Sequence, residues 1–241
     1  KKKKNVICAF TSVENTHYIQ MKRRGFIKSS IGAGVAAVAA SRLGSFENAF
    51  GNVPARANSD YDIVAVKGGE PAAMFDLGIQ AMGGMGAFVS KGQRVLVKPN
   101  IGWDVVPEKG ANTNPELVKR VIEHCFKAGA KEVFVFDHTC DNWVKCYKSS
   151  GIEQAAKDAG AKVVPADSET YYKQVSIPNG KRLTSAMIHE LILNTDVFIN
   201  VPVLKNHGGA IVTGALKNMM GVVWDRGYWH KNDLNQCIAD Y

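Results

Sequence analysis

Several common catalytic and cofactor-binding motifs are missing from this 241-residue sequence. It has no G-x-G-x-x-G after the first predicted strand, no Walker lysine loop, no G-x-S-x-G turn and no H-E-x-x-H helix. Each motif supplies a phosphate cradle, a nucleophile or a pair of metal ligands. Without them, the sequence argues against a dinucleotide-binding Rossmann site, a P-loop site, an α/β-hydrolase and a zincin protease.

Closely spaced cysteine pairs are also missing. No two of the five cysteines form C-x-x-C, so the spacings of zinc ribbons and ferredoxins are excluded. One cysteine, Cys125, falls on the apolar stripe of a predicted helix and is expected in the core. The others are Cys8, Cys140, Cys146 and Cys237.

Most of the chain has no excess of either charge. Residues 1–57 contain ten Lys/Arg and two Glu, which leaves 20 basic and 20 acidic residues in 58–241. The formal charge of +8 therefore belongs to the N-terminal segment. It gives no reason to expect nucleic-acid binding by the remainder.

Long apolar runs are absent as well. The run over residues 31–40 is shorter than the ~20 residues that a membrane-spanning helix needs. It follows Lys22-Arg23-Arg24-Gly25-Phe26-Ile27-Lys28, which resembles the twin-arginine export consensus. We therefore expect an exported, periplasmic protein that uses the twin-arginine machinery. That route carries folded proteins, often with a cofactor. A basic amphipathic anchor or an uncleaved signal is the alternative.

Three regions follow from this organisation. Residues 1–20 precede Met21 and are interpreted as a non-native upstream extension, and 21–57 as the signal peptide and linker. Cleavage is expected after Ala57 or Ala39, each of which ends an A-x-A-like site. Residues 58–241 are long enough for a single domain with a sizeable core and no stable transmembrane span.

Hydrophobic patterning in 58–241 predicts an α/β fold with an open, mainly parallel sheet, helices on both faces and a small β-hairpin insertion. Asn114, Pro115 and Glu116 form a strong helix start. The predicted strands cover 61–67, 94–97, 132–136, 162–165 and 197–201, and the predicted helices 72–82, 115–128, 152–159 and 187–193. Residues 137–150 are predicted as a polar loop, and 171–177 with 181–183 as a hairpin across Asn179-Gly180.

Polar residues collect where three predicted strands end. The sets are Lys98-Pro99-Asn100, Asp137-His138-Thr139-Cys140 and residues 200–207. Because ligands bind outside the carboxyl ends of parallel strands, we expect one shared site at this edge.

The stretch Asn200–Gly221 supplies most of the candidate site residues. Its cations and amides on a glycine-rich backbone suit an anionic ligand, with lysines acting as point charges. His207 lies in a loop and is a candidate for proton transfer together with Lys205. The candidate ligand-binding residues are Lys98, Asn100, Asn200, Asn206, Lys217 and Asn218.

A second candidate centre lies on the loop after the third strand. His138, Cys140 and Cys146 are candidate ligands for a metal or iron–sulfur cluster, completed by His207 or Cys237. In an oxidising compartment, Cys140 and Cys146 are alternatively a disulfide pair. Nearby aromatic residues either pack long loops or form the wall of a ligand cleft. They are Trp143, Tyr147, Trp224, Tyr228, Trp229 and His230.

Four blocks of sequence resemble the domain of unknown function 362 family (DUF362) from about Tyr61 onward. They are Lys98-Pro99-Asn100, Thr113-Asn114-Pro115-Glu116, Asp196-Val197-Phe198-Ile199-Asn200-Val201-Pro202 with Lys205 and His207, and Gly214-Ala215-Leu216-Lys217-Asn218-Met219-Met220-Gly221. The resemblance implies a bacterial or archaeal protein of no assigned activity. Some relatives append a ferredoxin-like module, which this sequence does not show. The family continues further, so we expect a C-terminally truncated domain.

Three functional hypotheses remain open from the sequence. The first is an exported protein that binds an anionic small molecule or cofactor and acts on it. The second is a metal or iron–sulfur redox protein centred on His138, Cys140 and Cys146. The third is a non-catalytic periplasmic binding protein.

Overall fold

The computed structural model describes residues 61–241 and two short backbone strands near the N-terminus, Lys4–Ile7 and His17–Gln20. The predicted twin-arginine leader and its cleavage positions lie outside the described residues, as does Cys8. Within the described part of the chain, no helix is both long and apolar enough to cross a membrane.

The strands in the described residues are β1 (Lys4–Ile7), β2 (His17–Gln20), β3 (Val64–Lys67), β4 (Arg94–Pro99), β5 (Glu132–Val135), β6 (Lys162–Val163), β7 (Tyr172–Ser176), β8 (Ser185–His189), β9 (Val197–Val201), β10 (Lys205–His207) and β11 (Ile211–Thr213). The α-helices are α1 (Pro71–Ala81), α2 (Pro115–Lys127), α3 (Trp143–Ser149), α4 (Ile152–Asp158), α5 (Glu190–Asn194), α6 (Ala215–Asn218), α7 (Arg226–Lys231) and α8 (Leu234–Asp240). Short 3-10 turns include Met219–Val222.

The central sheet has the strand order β1-β9-β4-β5-β6, and every neighbouring pair is parallel. The predicted α/β fold with a parallel sheet is therefore confirmed. One strand was misplaced: β3 pairs antiparallel with β2 outside this sheet. Its side chains alternate between half-buried and exposed, which is the period of a strand with one solvated face.

Continuous burial explains why β4 and β9 lie at the centre of the sheet. Alternate residues of β4 enter two cores: Val95 and Val97 pack with α1 and α2, whereas Leu96 packs against the opposite face. That opposite core contains the β7–β8 hairpin with α7 and α8. Helices thus cover one face as expected, while a hairpin and short helices cover the other.

The helix start at Asn114 is confirmed in atomic detail. The Asn114 side chain accepts hydrogen bonds from the backbone of Glu116 and Leu117, at 2.9 and 3.2 Å. Pro115 occupies the first helical position. The helix ends before Gly129, whose φ of 93° is unfavourable for residues with a side chain. An N-terminal cap such as the Asn114 side chain stabilises a helix by about 1 kcal/mol.

Two predictions for the region between β7 and α5 are wrong. The hairpin partner of β7 is β8 (Ser185–His189) and not residues 181–183, which form part of the connecting loop. A distant contact holds that loop, because the Asp240 carboxylate accepts hydrogen bonds from the backbone of Arg182 and Leu183. The predicted helix 187–193 is consequently divided between β8 and α5.

The predicted loop over 137–150 contains the helix α3. Its N-terminus is capped by the Asn142 side chain, which accepts a hydrogen bond from the backbone of Lys145 at 3.2 Å. The helix carries Cys146 and Tyr147 into the core, where each is at most 1% exposed. It therefore determines where the second cysteine of the predicted centre lies.

Candidate functional site

Three polar segments meet at the carboxyl edge of the sheet: one at the end of β4, one after β5 and one at the end of β9. Parallel pairing places Lys98 beside Asn200. The ammonium nitrogen of Lys98 lies 2.7 Å from Oδ1 of Asp137, which is the second residue after the end of β5. The spatial arrangement expected from the sequence is thus present, while ligand binding by these residues stays a prediction.

Lys98 is a buried cation whose protons are all engaged. Besides contacting Asp137, its ammonium donates to the Pro99 carbonyl at 2.8 Å and to Asn218 Oδ1 at 3.0 Å. The side chain is 0% exposed, and burial lowers its pKa, while the Asp137 carboxylate opposes that shift. With three acceptors for three protons, Lys98 supports the site and has no donor left for a ligand.

Two asparagines extend this network to the segment after β11. Asn218 donates to Asn200 Oδ1 at 2.7 Å, and Asn200 donates to the Ala215 carbonyl at 2.8 Å. Both asparagines are buried. Asp137, Lys98, Asn218 and Asn200, which we call the buried network, therefore fasten α6 to the ends of β4, β5 and β9.

Gly221 is required by the buried network, a role that the sequence did not reveal. A Cβ atom at this position would lie 1.8 Å from Oδ1 of Asp137 and 2.6 Å from the ammonium of Lys98. The Gly221 carbonyl also accepts a hydrogen bond from the backbone of His138 at 2.9 Å. Only glycine lets the backbone approach the ion pair this closely.

The carboxylate of Asp137 is engaged through both oxygens. Its Oδ2 accepts from the backbone of Ile101 at 2.6 Å. Its Oδ1 forms the ion pair with the ammonium of Lys98 at 2.7 Å and has no hydrogen bond to any other described residue. The side chain is 2% exposed, so Asp137 supports the cavity wall together with Lys98.

This cavity has a volume of about 220 Å³ and lies above the buried network. It is lined by the loops after β4 and β5, the β10–β11 hairpin, α6 and α7. Its charged residues are Lys98, Asp137, Lys205, Lys217 and Arg226, and His138, His207 and His230 also line it. A larger concavity of about 390 Å³ lies beside β8 and α7. Tyr228 and Trp229 of the predicted aromatic set line it, but none of the candidate catalytic, ligand-binding or metal residues does.

Lys205 crosses from the hairpin to the loop after β4. Its ammonium donates to Asn100 Oδ1 at 2.8 Å and also to the Ala111 carbonyl. Burial lowers its pKa, and the nearby ammonium groups of Lys217 and Lys98 add to that effect. Asn100 thus positions Lys205, which keeps one further proton for a hydrogen bond.

Lys217 differs from its neighbours, because it has no hydrogen bond or ion pair within the described region. It is half-buried, and it lines the cavity. Burial lowers the pKa of Lys217, with a contribution from the positive charge of Arg226. A cation that is partly desolvated and unpaired is suited to bind an anion.

His207 has one ring nitrogen committed to the protein. Its Nδ1 accepts hydrogen bonds from the backbone of Gly209 and Ala210, both at 3.0 Å. Because backbone N–H groups only donate, the ring proton of the neutral form lies on Nε2. Burial lowers the pKa of His207, followed by the charges of Lys217, His230 and Lys205. His207 is therefore a neutral donor through Nε2.

Asn206 does not share this position. It is exposed, pairs with Val212 in the hairpin and does not line the cavity. Side chains alternate along a strand, so Asn206 faces away while Lys205 and His207 face inward.

The structure does not assemble the predicted metal centre. His138 Nδ1 donates to the Val223 carbonyl at 2.9 Å, and its ring stacks on Trp224 at 5.1 Å. Helix α3 buries Cys146, whereas Cys140 is exposed. Among the described residues, no three or more His, Cys, Asp or Glu side chains are grouped for a metal ion.

The alternative disulfide is likewise not formed, since Cys140 and Cys146 are both free thiols. Of the predicted aromatic wall, His230 lines the cavity, while Tyr147 and Trp229 are core residues. Burial and the nearby charges of Lys217 and Arg226 lower the pKa of His230.

Sequence reasoning missed Arg226. Its guanidinium donates to the carbonyl of His138 at 2.5 Å and to that of Thr139, and so holds the loop after β5 against α7. Nothing in the local sequence distinguishes this arginine, because its acceptors are backbone groups 87 and 88 residues away.

The fold and the cavity define an α/β protein with a cation-rich site at the carboxyl edge of a parallel sheet. The family model described as a domain of unknown function (DUF362) matches residues 95–241, and the chain belongs to this family. The predicted family is therefore confirmed, with a match that begins later than Tyr61.

A curated relative is the thylakoid-associated protein of Synechocystis sp. (strain ATCC 27184 / PCC 6803 / Kazusa). It is 28% identical over 154 residues, which cover 63% of this chain and 46% of the relative. The chain thus spans about half the length of this relative. No solved structure matches the chain.

Proposed function

We propose that the protein binds an anionic small molecule or cofactor in the cavity above the buried network. The observation that carries this proposal is the charge of the lining: four cationic side chains face one carboxylate. That carboxylate, Asp137, is already paired with Lys98. Lys205, Lys217 and Arg226 therefore leave an uncompensated positive charge, which attracts an anion.

Each residue has a distinct role in this proposal. Lys217 forms the direct ion pair, since it has no competing acceptor within the described region. Lys205 contributes its remaining N–H, and His207 donates through Nε2. The buried network keeps these groups in place. As a neutral donor, His207 orients the anion and does not act as the general base.

Calorimetric titration with pyrophosphate, inorganic phosphate and citrate tests this function. We expect at least one of these anions to bind. Lys217→Met should weaken that binding about tenfold or more, the equivalent of one lost charge-assisted contact. The control is Lys157→Met, which removes an exposed lysine that pairs with Glu153 on α4. Failure of all three anions to bind, or equal affinity in Lys217→Met, would contradict the proposal.

We also propose that the protein is exported to the periplasm by the twin-arginine route. The support is the Lys22–Lys28 motif with the short apolar run that follows it. Replacing Arg23 and Arg24 with lysine should shift the protein from the periplasmic to the cytoplasmic fraction. An unchanged distribution in cell fractionation would count against export by this route.

A further inference from the structure

Cys140 is a chemically reactive side chain for which anion binding alone gives no role. It lines the cavity and is exposed, while the other cysteines of residues 61–241, Cys125, Cys146 and Cys237, are buried. It neither forms a disulfide nor joins a metal-binding group within that range. Its thiol is therefore available to a ligand in the cavity.

The backbone holds the thiol beside the anion-binding groups. The backbone N–H of Cys140 donates to the Gly102 carbonyl at 2.9 Å. A Cβ atom on Gly102 would lie 3.9 Å from the sulfur and 3.5 Å from the side-chain nitrogen of Asn100. The sulfur therefore lies near the amide that accepts a hydrogen bond from Lys205.

A cation in the same wall lacks a partner and so indicates a ligand. Lys217 has no acceptor among the described residues, whereas the Asp137 carboxylate is paired with Lys98 at 2.7 Å. A ligand that carries an anionic group satisfies Lys217.

We propose that the thiol of Cys140 is the reacting group of this cavity. Its substrate carries a phosphate or carboxylate, held by Lys217 and Lys205, next to an electrophilic carbon. This inference rests on the proposed anion-binding function and adds the chemistry. The thiolate is the nucleophilic form of cysteine.

The covalent step is a substitution. The sulfur forms a bond to the electrophilic carbon, while the bond from that carbon to its leaving group breaks. The leaving group departs with the bonding electron pair, and the thiol proton passes to water. His207 does not take this proton, because its Nδ1 accepts backbone hydrogen bonds and its Nε2 is protonated. The step needs no oxidant or reductant.

Alkylation of the full chain with two reagents of different charge tests the proposal. Iodoacetate is an anion and iodoacetamide is neutral, and both react with the thiolate, so their rate ratio does not depend on the fraction of thiolate. Mass spectrometry of the Cys140 peptide separates this site from the other cysteines. We expect the iodoacetate-to-iodoacetamide ratio to exceed that of glutathione about fivefold or more, because the cationic wall concentrates the anion.

The variants and a competitor supply the controls. Lys217→Met should return the ratio towards that of glutathione, whereas Lys157→Met should leave it high. Saturating pyrophosphate should slow iodoacetate at Cys140 in the unmodified chain. A ratio equal to that of glutathione, or one unchanged in Lys217→Met, overturns the inference. If pyrophosphate nevertheless binds by calorimetry, the inference fails and the anion-binding function stands.

Discussion

Two lysines in the same cavity show how differently a cation is used. Lys98 is fully buried and has three acceptors for its three protons. Lys217 is half-buried and has none within the described region. The first is a structural cation, whose burial is tolerated because it is paired and hydrogen-bonded. The positive charge of the second is not neutralised by a described neighbour, and we propose that an anionic ligand neutralises it.

The same division separates the buried network from the mouth of the cavity. The side-chain amides of Asn200 and Asn218 form hydrogen bonds with each other, with Lys98 and with backbone carbonyls. Cys140 and the Nε2 of His207 remain available. Residues whose polar groups are all hydrogen-bonded within the protein support the cavity, whereas residues with a free polar group are the candidates for binding. Residue type alone does not separate the two sets.

The largest effect is expected from a methyl group at the buried network. Gly221→Ala places a carbon where Asp137 Oδ1 and the ammonium of Lys98 lie, so the ion pair or the backbone must move. We expect the free energy of unfolding to fall by about 3 kcal/mol or more. Chemical denaturation measures this loss. Gly208→Ala is the control, since nothing lies within 4 Å of its Cβ position. A loss below about 1 kcal/mol in Gly221→Ala would contradict this packing.

Neutralising one member of the ion pair should cost nearly as much. Asp137→Asn preserves the shape and an acceptor for the backbone of Ile101, but leaves the charge of Lys98 uncompensated. The expected loss in the free energy of unfolding is about 3 kcal/mol. Equal stability of the variant and the unmodified chain in denaturant would show that Lys98 is not held as a buried cation.

The sequence predicted the parallel sheet because strands and helices alternate along the chain with short links, and because the third predicted strand (132–136) is apolar in its middle. It also predicted the meeting of Lys98, Asp137 and Asn200, because residues at the carboxyl ends of parallel strands share an edge. The role of Gly221 was not predictable, since it depends on contacts with residues more than 80 positions earlier. The same holds for Arg226.

The wrong predictions for helix α3 and the β7–β8 loop arose because the local sequence pattern does not show the tertiary contacts that determine these segments. Residues 143–149 contain polar and aromatic residues without a clear helical stripe, yet the Asn142 cap and the core positions of Cys146 and Tyr147 make them α3. That helix removes Cys146 from the predicted metal centre. In the β7–β8 region, the Asp240 carboxylate on α8 determines where the loop lies, and the sequence pattern near 181–183 does not show this contact.

Acid should weaken the fold through histidines that are neutral in it. His138, His189, His207 and His230 all have a pKa below the ordinary 6.5, mainly because of burial. The unfolded chain therefore binds more protons than the folded chain below about pH 6.5. Stability from these groups is complete above that pH and is lost as the pH falls towards their lowered values. His189 illustrates the cause, since its side chain is 1% exposed and its ring stacks on Phe136.

We expect the free energy of unfolding to fall by about 1 kcal/mol between pH 7 and pH 5. Urea denaturation across this range measures the slope. Bound pyrophosphate should reduce the decline, because an anion in the cavity favours protonation of His207 and His230. A free energy that is constant or increases towards pH 5 would contradict the neutral state of these histidines.

The smallest effect has the opposite sign and tests the contrast between the two lysines directly. Lys217→Met keeps the side-chain stem but removes an unpaired, partly desolvated charge near Arg226. In the absence of anions, the free energy of unfolding should rise by a few tenths of a kcal/mol, because solvent screens a half-exposed ammonium. Lys157→Met should instead lose a few tenths through its exposed pair with Glu153. A gain in stability together with the loss of anion binding would show that Lys217 is maintained for binding at the expense of the fold. A Lys217→Met variant that is less stable without anions would mean that this lysine has a structural partner after all.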